Sequence, residues 1–261
     1  MEMTPQPTPT PTPTARNVFL YWVGPEYSLI SLLRKLIYIH ATSGKGYNVV
    51  LITDKNVQQY VQNIPSCFTK LCPAHQADFV RVNVICDYGG IWLDSDTLVV
   101  DSLDELFDFV YASEDKCGFF IKHVNNSIFY NGIFGSRKNT PVMLEWKRRM
   151  AEILKCKSEH IHWNEIGSDI LDRIDARLYA DYDVMRGSDR LFPVSWEQCA
   201  VEFIDKPYEN YKTIVRDSQP LVALVNSVYK RVGHMTEAEI LEGTMPINYF
   251  INKSFERAAN R

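Results

Sequence analysis

Residues 87–100 read "DYGGIWLDSDTLVV". Gly89 and Gly90 interrupt the run, Ile91, Trp92 and Leu93 follow, and then Asp94 and Asp96 flank Ser95. The apolar content predicts one buried strand, "IWLDSDTLVV", that carries both aspartates. Strand interiors disfavour aspartate, and a buried carboxylate without a partner is costly. In an extended chain residues two apart face the same way, so Asp94 and Asp96 would aim at one point. They would repel there unless a cation sat between them. A hard divalent ion, Mn2+ or Mg2+, suits that place, because it needs only one or two carboxylates when substrate phosphates complete its shell. D-x-D alone is a weak signal, since surface turns also contain it.

The preceding segment, "HQADFVRVNVICDYGG", predicts a helix over 75–88 that stops at Gly89. Asp78 and Arg81 lie three apart on one of its faces. Ala77, Phe79, Val80, Val82, Val84 and Ile85 surround them, which implies a mostly buried helix. A charged pair in that setting is either mutually satisfied or projects into a cleft. Gly89 and Gly90 let the chain turn sharply from helix to strand.

Upstream, "NVFLYWV" predicts a strand, residues 28–42 a helix, "YNVVLITD" a second strand and 55–62 a short helix. Strand, helix, strand in this order implies a parallel unit with a right-handed crossover. Downstream, "GFFIKHV" and "SIFYNGIFGS" predict strands and "PVMLEWKRRMAEILK" an amphipathic helix. A helix around 167–178, strand pieces near 191–194 and 220–225, and a C-terminal helix from about 236 complete the reading. The class is α/β, parallel first and mixed later.

A net charge of −4 over 261 residues leaves no basic footprint, so nucleic acid is not expected as a partner. Six cysteines are scattered with no C-x-x-C pair, and none of the six histidines has ligand spacing, so neither type receives a metal role. The apolar run "YSLISLLRKLIYIHA" is broken by Arg34 and Lys35, and no secretion signal or membrane anchor is visible. The expectation is a soluble, cytoplasmic protein. Residues 4–14 alternate threonine and proline and predict an extended tail. Trp92 is read as packing, and Trp146, Trp163 and Trp196 as core or helix-packing residues, with acceptor stacking the lesser option.

"ADFVRVNVICDYGGIWLDSD" resembles the hallmark of the DXD sugar-transferase family, which includes the catalytic domains of clostridial glucosylating toxins and the yeast initiating α-mannosyltransferases. The matching elements are Asp78 and Arg81, the Tyr88-Gly89-Gly90 turn, Trp92, Asp94 and Asp96. "FLYWVGPE" is similar to the family's opening strand, "YNVVLITDKN" to its second, and "NGIFGSRKNTPVM" to its later segment. The resemblance covers residues 17–145 and thins beyond them.

It implies a GT-A type nucleotide-sugar transferase fold, with a central mixed, mostly parallel sheet flanked by helices. The implied organisation is a disordered tail over 1–15, the transferase domain over 16–235 and a helical extension over 236–261. The implied function is metal-dependent, retaining transfer of a hexose from a UDP- or GDP-sugar to a glycan or protein hydroxyl. Asp78, Arg81, Asp94 and Asp96 would be catalytic, and Trp22, Ser95, Asn131, Ser227 and Lys230 would join them in binding the donor. Asp94, Asp96 and Asn226 would hold Mn2+ or Mg2+. "PLVALVNSVYK" departs from the pattern, because Ala223 and Leu224 stand where a polar residue is expected. A plain core strand with its exit turn reads that segment equally well. The departure leaves open an inactive nucleotide-sugar or glycan-binding protein. A DxD phosphohydrolase is the remaining alternative, although Leu98 stands where its signature needs threonine.

Overall fold

The computed structural model describes residues 16–42, 46–123, 127–157, 160–187, 194–214 and 221–260. The tail expected over 1–15 and most of the strand piece expected near 191–194 lie outside the described residues. The strands are β1 (Asn17–Tyr21), β2 (Asn48–Ile52), β3 (Gly90–Leu93), β4 (Thr97–Val99), β5 (Gly118–Lys122), β6 (Phe129–Ser136), β7 (Tyr182–Arg186) and β8 (Leu221–Ala223). The helices of the first part are α1 (Ser28–Thr42), α2 (Val57–Tyr60), α3 (Pro73–Tyr88), α4 (Asp104–Tyr111), α5 (Pro141–Cys156) and α6 (Ser168–Arg173). Four follow: α7 (Tyr211–Ile214), α8 (Asn226–Arg231), α9 (Glu237–Leu241) and α10 (Pro246–Ala259).

Six strands form the main sheet in the order β2-β1-β3-β6-β5-β7. Five run one way and β6 alone runs against them. The expected sheet, mixed and mostly parallel with helices on both faces, is therefore the observed one. Phe19, Trp92, Phe120 and Phe134 point to one face and pack with Val80 and Val84 of α3 and Trp146 of α5. Val18, Leu20, Ile91, Leu93 and Ile133 point to the other, against Ile37 of α1 and Phe107 of α4. Alternating faces along each strand produce this division, and burial of both faces explains the near-continuous apolar runs.

The single strand expected over 91–100 is instead two strands in two sheets. β3 ends in the main sheet, whereas β4 pairs antiparallel with β8, Thr97 opposite Ala223 and Val99 opposite Leu221. The chain changes sheets across Asp94–Asp96 through a turn closed by the Thr97 N–H on the Asp94 carbonyl at 2.9 Å. Both halves are buried, so apolar residues flank the acidic turn on each side while the backbone between them is not straight. Strand alternation therefore does not set the directions of Asp94 and Asp96; the turn does. The helix expected over 167–178 is also shorter, comprising α6 and a separate 3-10 turn at Ala176–Tyr179.

Residues 237–241 and 246–259 are helical and complete a third apolar layer. Ile240, Ile247, Phe250 and Ile251 pack on Leu29, Leu33 and Leu36 of α1 and on Leu98 and Val222 of the small sheet. Ser254 donates to the Val99 carbonyl at 2.6 Å and accepts from His40 Nε2 at 2.9 Å, which links α10, β4 and α1 through buried polar atoms. Among the described residues no helix is long and apolar enough to cross a membrane.

Helix α3 ends at Gly89, whose N–H caps the Ile85 carbonyl at φ +70°, and Gly90 enters β3 at φ +124°. A Cβ on Gly90 would lie 2.4 Å from the Asn17 carbonyl oxygen of β1. Gly90→Ala combines left-handed strain with a backbone clash, so we expect a loss of about 3 kcal/mol or more. The measurement is the urea midpoint of unfolding, which should fall with little change in slope.

Candidate active site

β1 and β3 are parallel neighbours, so both end at the same edge of the main sheet. Open α/β sheets bind ligands outside the carboxyl ends of their strands. Trp22 leaves β1 there, and Asp94 leaves β3. β6 runs the opposite way, so its opening residues Tyr130, Asn131 and Gly132 reach the same edge. The Asp94 N–H donates to the Gly132 carbonyl at 2.8 Å and fixes the turn to β6.

Arg81 organises the acids. It is buried on α3, as is Asp78 one turn earlier. Its Nη2 lies 3.1 Å from Asp94 Oδ1, and its Nε lies 3.5 Å from Asp78 Oδ1. Nη1 donates to the Asn131 carbonyl at 2.5 Å and Nε to the Ala77 carbonyl at 3.3 Å. The guanidinium carbon sits 5.1 Å from the centre of the Trp92 ring, a cation–π distance. Asn131 Nδ2 donates to Asp78 Oδ1 at 2.8 Å. Trp92 is fully buried, and its indole N–H also donates to Asp94 Oδ1 at 2.8 Å. It therefore packs, as read from the sequence, and holds a carboxylate as well.

The Asp94 side chain keeps 27% of its surface exposed, and Asp96 is half-buried. Ser95 between them is buried and donates to the Tyr21 carbonyl at 3.0 Å, which pins the turn to the end of β1. The Asp96 carbonyl accepts the Leu224 N–H at 3.2 Å, which ties the turn to the end of β8. Ala223 and Leu224 are both buried in the apolar layers there.

The electrostatics follow from one cation set among three acids. Burial raises the Asp78 carboxyl to about 6, with Arg81 pulling it back. Burial raises Asp94 against the same opposing guanidinium. Asp96 is pushed well above the usual carboxylate range, first by burial and then by the Asp94 charge. Burial lifts the Tyr229 hydroxyl and the Cys199 thiol each to about 12, and the Asp96 charge adds to both. Tyr130 is raised well above its ordinary value by burial, then by Asp94 and Asp96.

Trp22 stands at the end of β1 in a ring cluster. It meets Tyr229 edge-on at 5.7 Å and Tyr27 edge-on at 6.4 Å, with 5.3 Å between the two tyrosines. Lys230 lies exposed on α8, one residue past Tyr229. Asn226 and Ser227 open α8, but their side chains lie outside the described residues. The structure thus joins Asp78, Arg81, Asn131 and Asp94 by direct contacts; Ser95 and Asp96 follow Asp94 in the turn, and Tyr229 meets Trp22 and feels the Asp96 charge.

Tyr27, Tyr130, Gly132 and Cys199 are neighbours of the site that carry no expectation from sequence. Gly132 had a readable signal, because a glycine inside a strand marks a close approach. A Cβ there would lie 2.3 Å from Tyr130 Oη and 2.5 Å from Asp94 Oδ2. The tyrosines had none, being distant in sequence and ordinary in context. Two expectations fail elsewhere: Trp163 and Trp196 are 66% and 61% exposed instead of packed, while Trp146 is fully buried.

The donor chemistry fits a hard cation. Asp94 Oδ1 is engaged by Arg81 and Trp92, whereas Oδ2 faces the space left by Gly132. The mutual repulsion of Asp94 and Asp96 is the kind a cation relieves. Among the described residues no group of three His, Cys, Asp or Glu converges, so the described chain would supply two carboxylates and leave the rest of a shell to phosphate oxygens.

Comparison with known proteins adds two findings. Residues 4–164 match the model of a family described as capsular polysaccharide synthesis protein. The fold is similar to that of a glycosyltransferase involved in the glycosylation of the major capsid of PBCV-1, at 13% identity, covering 84% of this chain and 98% of that one, with a TM-score of 0.53. It is also similar to the WbbM bifunctional glycosyltransferase, at 16% identity, covering 98% of this chain and 51% of that one, again with a TM-score of 0.53. This chain therefore spans about half the length of WbbM. No curated protein matches the sequence. Identities this low carry the fold, and that fold is the GT-A arrangement.

Proposed function

The chain belongs to the capsular polysaccharide synthesis protein family, and from that footing we propose that it is a glycosyltransferase that moves a hexose from a UDP- or GDP-sugar to a hydroxyl of a glycan or protein acceptor. The observation that carries the proposal is the acidic turn Asp94–Asp96 at the strand ends, bridged by Arg81 to an Asp78 that Asn131 also holds.

Each residue takes a role from its position. Trp22, supported by Tyr27 and Tyr229, provides the aromatic face for the base. Asp78 and Asn131 accept and donate hydrogen bonds to the sugar hydroxyls, and Arg81 keeps both in place. Asp94 and Asp96 would hold Mn2+ or Mg2+, to which the family resemblance adds Asn226; a cation bound there would supply charge stabilisation for the departing diphosphate. The family resemblance adds Ser227 and Lys230, both on α8, as binders of the phosphates. Ser95 acts through the backbone by fixing the turn. Held in this way, donor and acceptor react with little further loss of freedom. The acceptor attacks from the face the diphosphate leaves, so configuration is retained and no carboxylate has to form a covalent intermediate.

The test is thermal unfolding with UDP or GDP in the presence of Mn2+. At a hundredfold excess over Kd, ligand binding adds about 2.7 kcal/mol. For a chain of this size we expect a rise in Tm of roughly 5–10 °C. No shift with either nucleotide would overturn the reading. Slow hydrolysis of one nucleotide sugar separates an enzyme from an inactive binder of the same fold.

A further inference from the structure

Trp163 is 66% exposed, and hydrogen bonds tie down the residues on either side of it. It sits in the loop before α6, which is fastened on both sides of it. Next to it, the His162 carbonyl accepts His75 Nε2 at 3.1 Å. The His162 N–H donates to Glu165 Oε2 at 2.9 Å, and Lys157 pairs with Glu165 at 2.5 Å. Beyond it, Ile166 is fully buried and its carbonyl accepts the Trp146 indole N–H at 3.0 Å. Gly167 closes the loop against the site, where a Cβ would lie 2.3 Å from Asn131 Nδ2 and 3.3 Å from Asp78 Oδ1.

The indole itself lies beside His75, with ring centres 6.4 Å apart at 48°. His75 and Asp78 are three apart on α3 and so share a face, about 5–6 Å between Cβ atoms. Contacts and charge effects therefore run in one sequence from Trp22 through Tyr229 to the acidic turn, then through Arg81 to Asp78, His75 and Trp163. Trp22 and Trp163 stand at opposite ends of that sequence. A scattered exposed apolar residue needs no explanation. A preordered indole one turn from the residues given to the donor sugar does.

We infer that Trp163 is the platform of an acceptor subsite, on which the apolar face of a pyranose ring stacks. The inference rests on the glycosyltransferase reading and names the substrate class on its acceptor side. An indole presents a large apolar face at low entropic cost and one N–H for a sugar hydroxyl. Its place beyond Asp78, away from Trp22, assigns it to the acceptor and not to the donor.

The full chain is titrated with methyl α- and β-pyranosides of glucose, galactose, mannose and N-acetylglucosamine. Binding is read by saturation-transfer NMR and by indole fluorescence in the wild type, Trp163→Ala and Trp163→Phe. The expected result is millimolar binding of at least one pyranoside, weakened about tenfold in Trp163→Ala and largely kept in Trp163→Phe. The nucleotide-dependent rise in Tm should be the same in all three proteins. Equal pyranoside binding in Trp163→Ala, or none in the wild type, overturns the subsite. So does a Trp163→Ala protein that loses the nucleotide shift, because the indole would then serve the donor. If the wild type shows no nucleotide shift yet stacks pyranosides on Trp163, the transferase reading fails, and the acceptor assignment falls with it.

Discussion

Asp96→Asn is expected to lower donor turnover by about a thousandfold while leaving the free protein as stable as the wild type or more so. The loss follows from electrostatics: without the Asp96 carboxylate a cation that would offset the charge of the leaving diphosphate is held less well, and losing a stabilising contact of that kind costs on the order of 10²–10³ in rate. The gain follows from the same charge in the unliganded protein. Asp96 is held well above the ordinary carboxylate range by burial and by Asp94, so its ionised form is the disfavoured one. An amide of equal size removes that penalty. Nucleotide-sugar hydrolysis checks the first half, and Tm without metal checks the second.

A pH dependence accompanies it, and its sign is opposite to ordinary acid denaturation. Asp78 titrates at about 6 in the folded protein, above its ordinary value, so its penalty is complete at neutral pH. That penalty fades as pH falls through 6 and is gone once the unfolded carboxyl is also protonated. The metal-free protein should therefore melt at a higher temperature near pH 5.5 than near pH 7.5. Asp78→Asn should flatten that difference. A Tm that falls steadily on acidification over this range would show that Asp78 carries no such penalty.

Arg81→Met is the second large effect, and it falls on the fold before it reaches the chemistry. Arg81 is the cation among Asp78, Asp94 and Asp96, and Asp78 is buried with it. Removing one partner of a buried charge pair costs about 3–5 kcal/mol, because the remaining charge is left without compensation. Arg81→Lys keeps the charge but cannot engage Asp94, the Asn131 carbonyl and the Ala77 carbonyl at once, as the guanidinium does. The urea midpoint should rank wild type, lysine, methionine in descending order. The methionine protein should recover part of its stability at low pH, where Asp78 is neutral.

The parts of the fold that could be read from sequence are those where one period governs a segment. α1, α3 and α5 show helical spacing, and β1, β2, β5 and β6 show compact apolar runs ended by turn residues, so each lies close to where its pattern puts it. The pairing of Asp78 with Arg81 was visible from spacing on α3. The closer partner of Arg81, Asp94 at 3.1 Å, was not, because it depends on where β3 ends relative to that helix. The break between β3 and β4 was marked by the polar Asp94-Ser95-Asp96, but the buried apolar runs on either side let those three residues be read as part of one strand. Tyr229 reaches Trp22 from a helix near the other end of the chain, a relation with no local signature. Trp163 was misjudged because an apolar residue is assigned to the interior by default, and only the loop's attachments show which way it faces.

The small sheet has a bearing on biosynthesis. Among the described residues β4 pairs with β8 alone, and the Asp96 carbonyl is bonded by Leu224 just beyond it. β1, β2 and β3 emerge from the ribosome early and can pair with one another, yet the acidic turn that joins β3 to β4 lacks its anchor on β8 until residues 221–224 have been translated. A nascent or prematurely terminated chain that stops short of them can collapse around its early strands and seat Asp94 on Arg81, but it lacks the Leu224 bond that ties down Asp96.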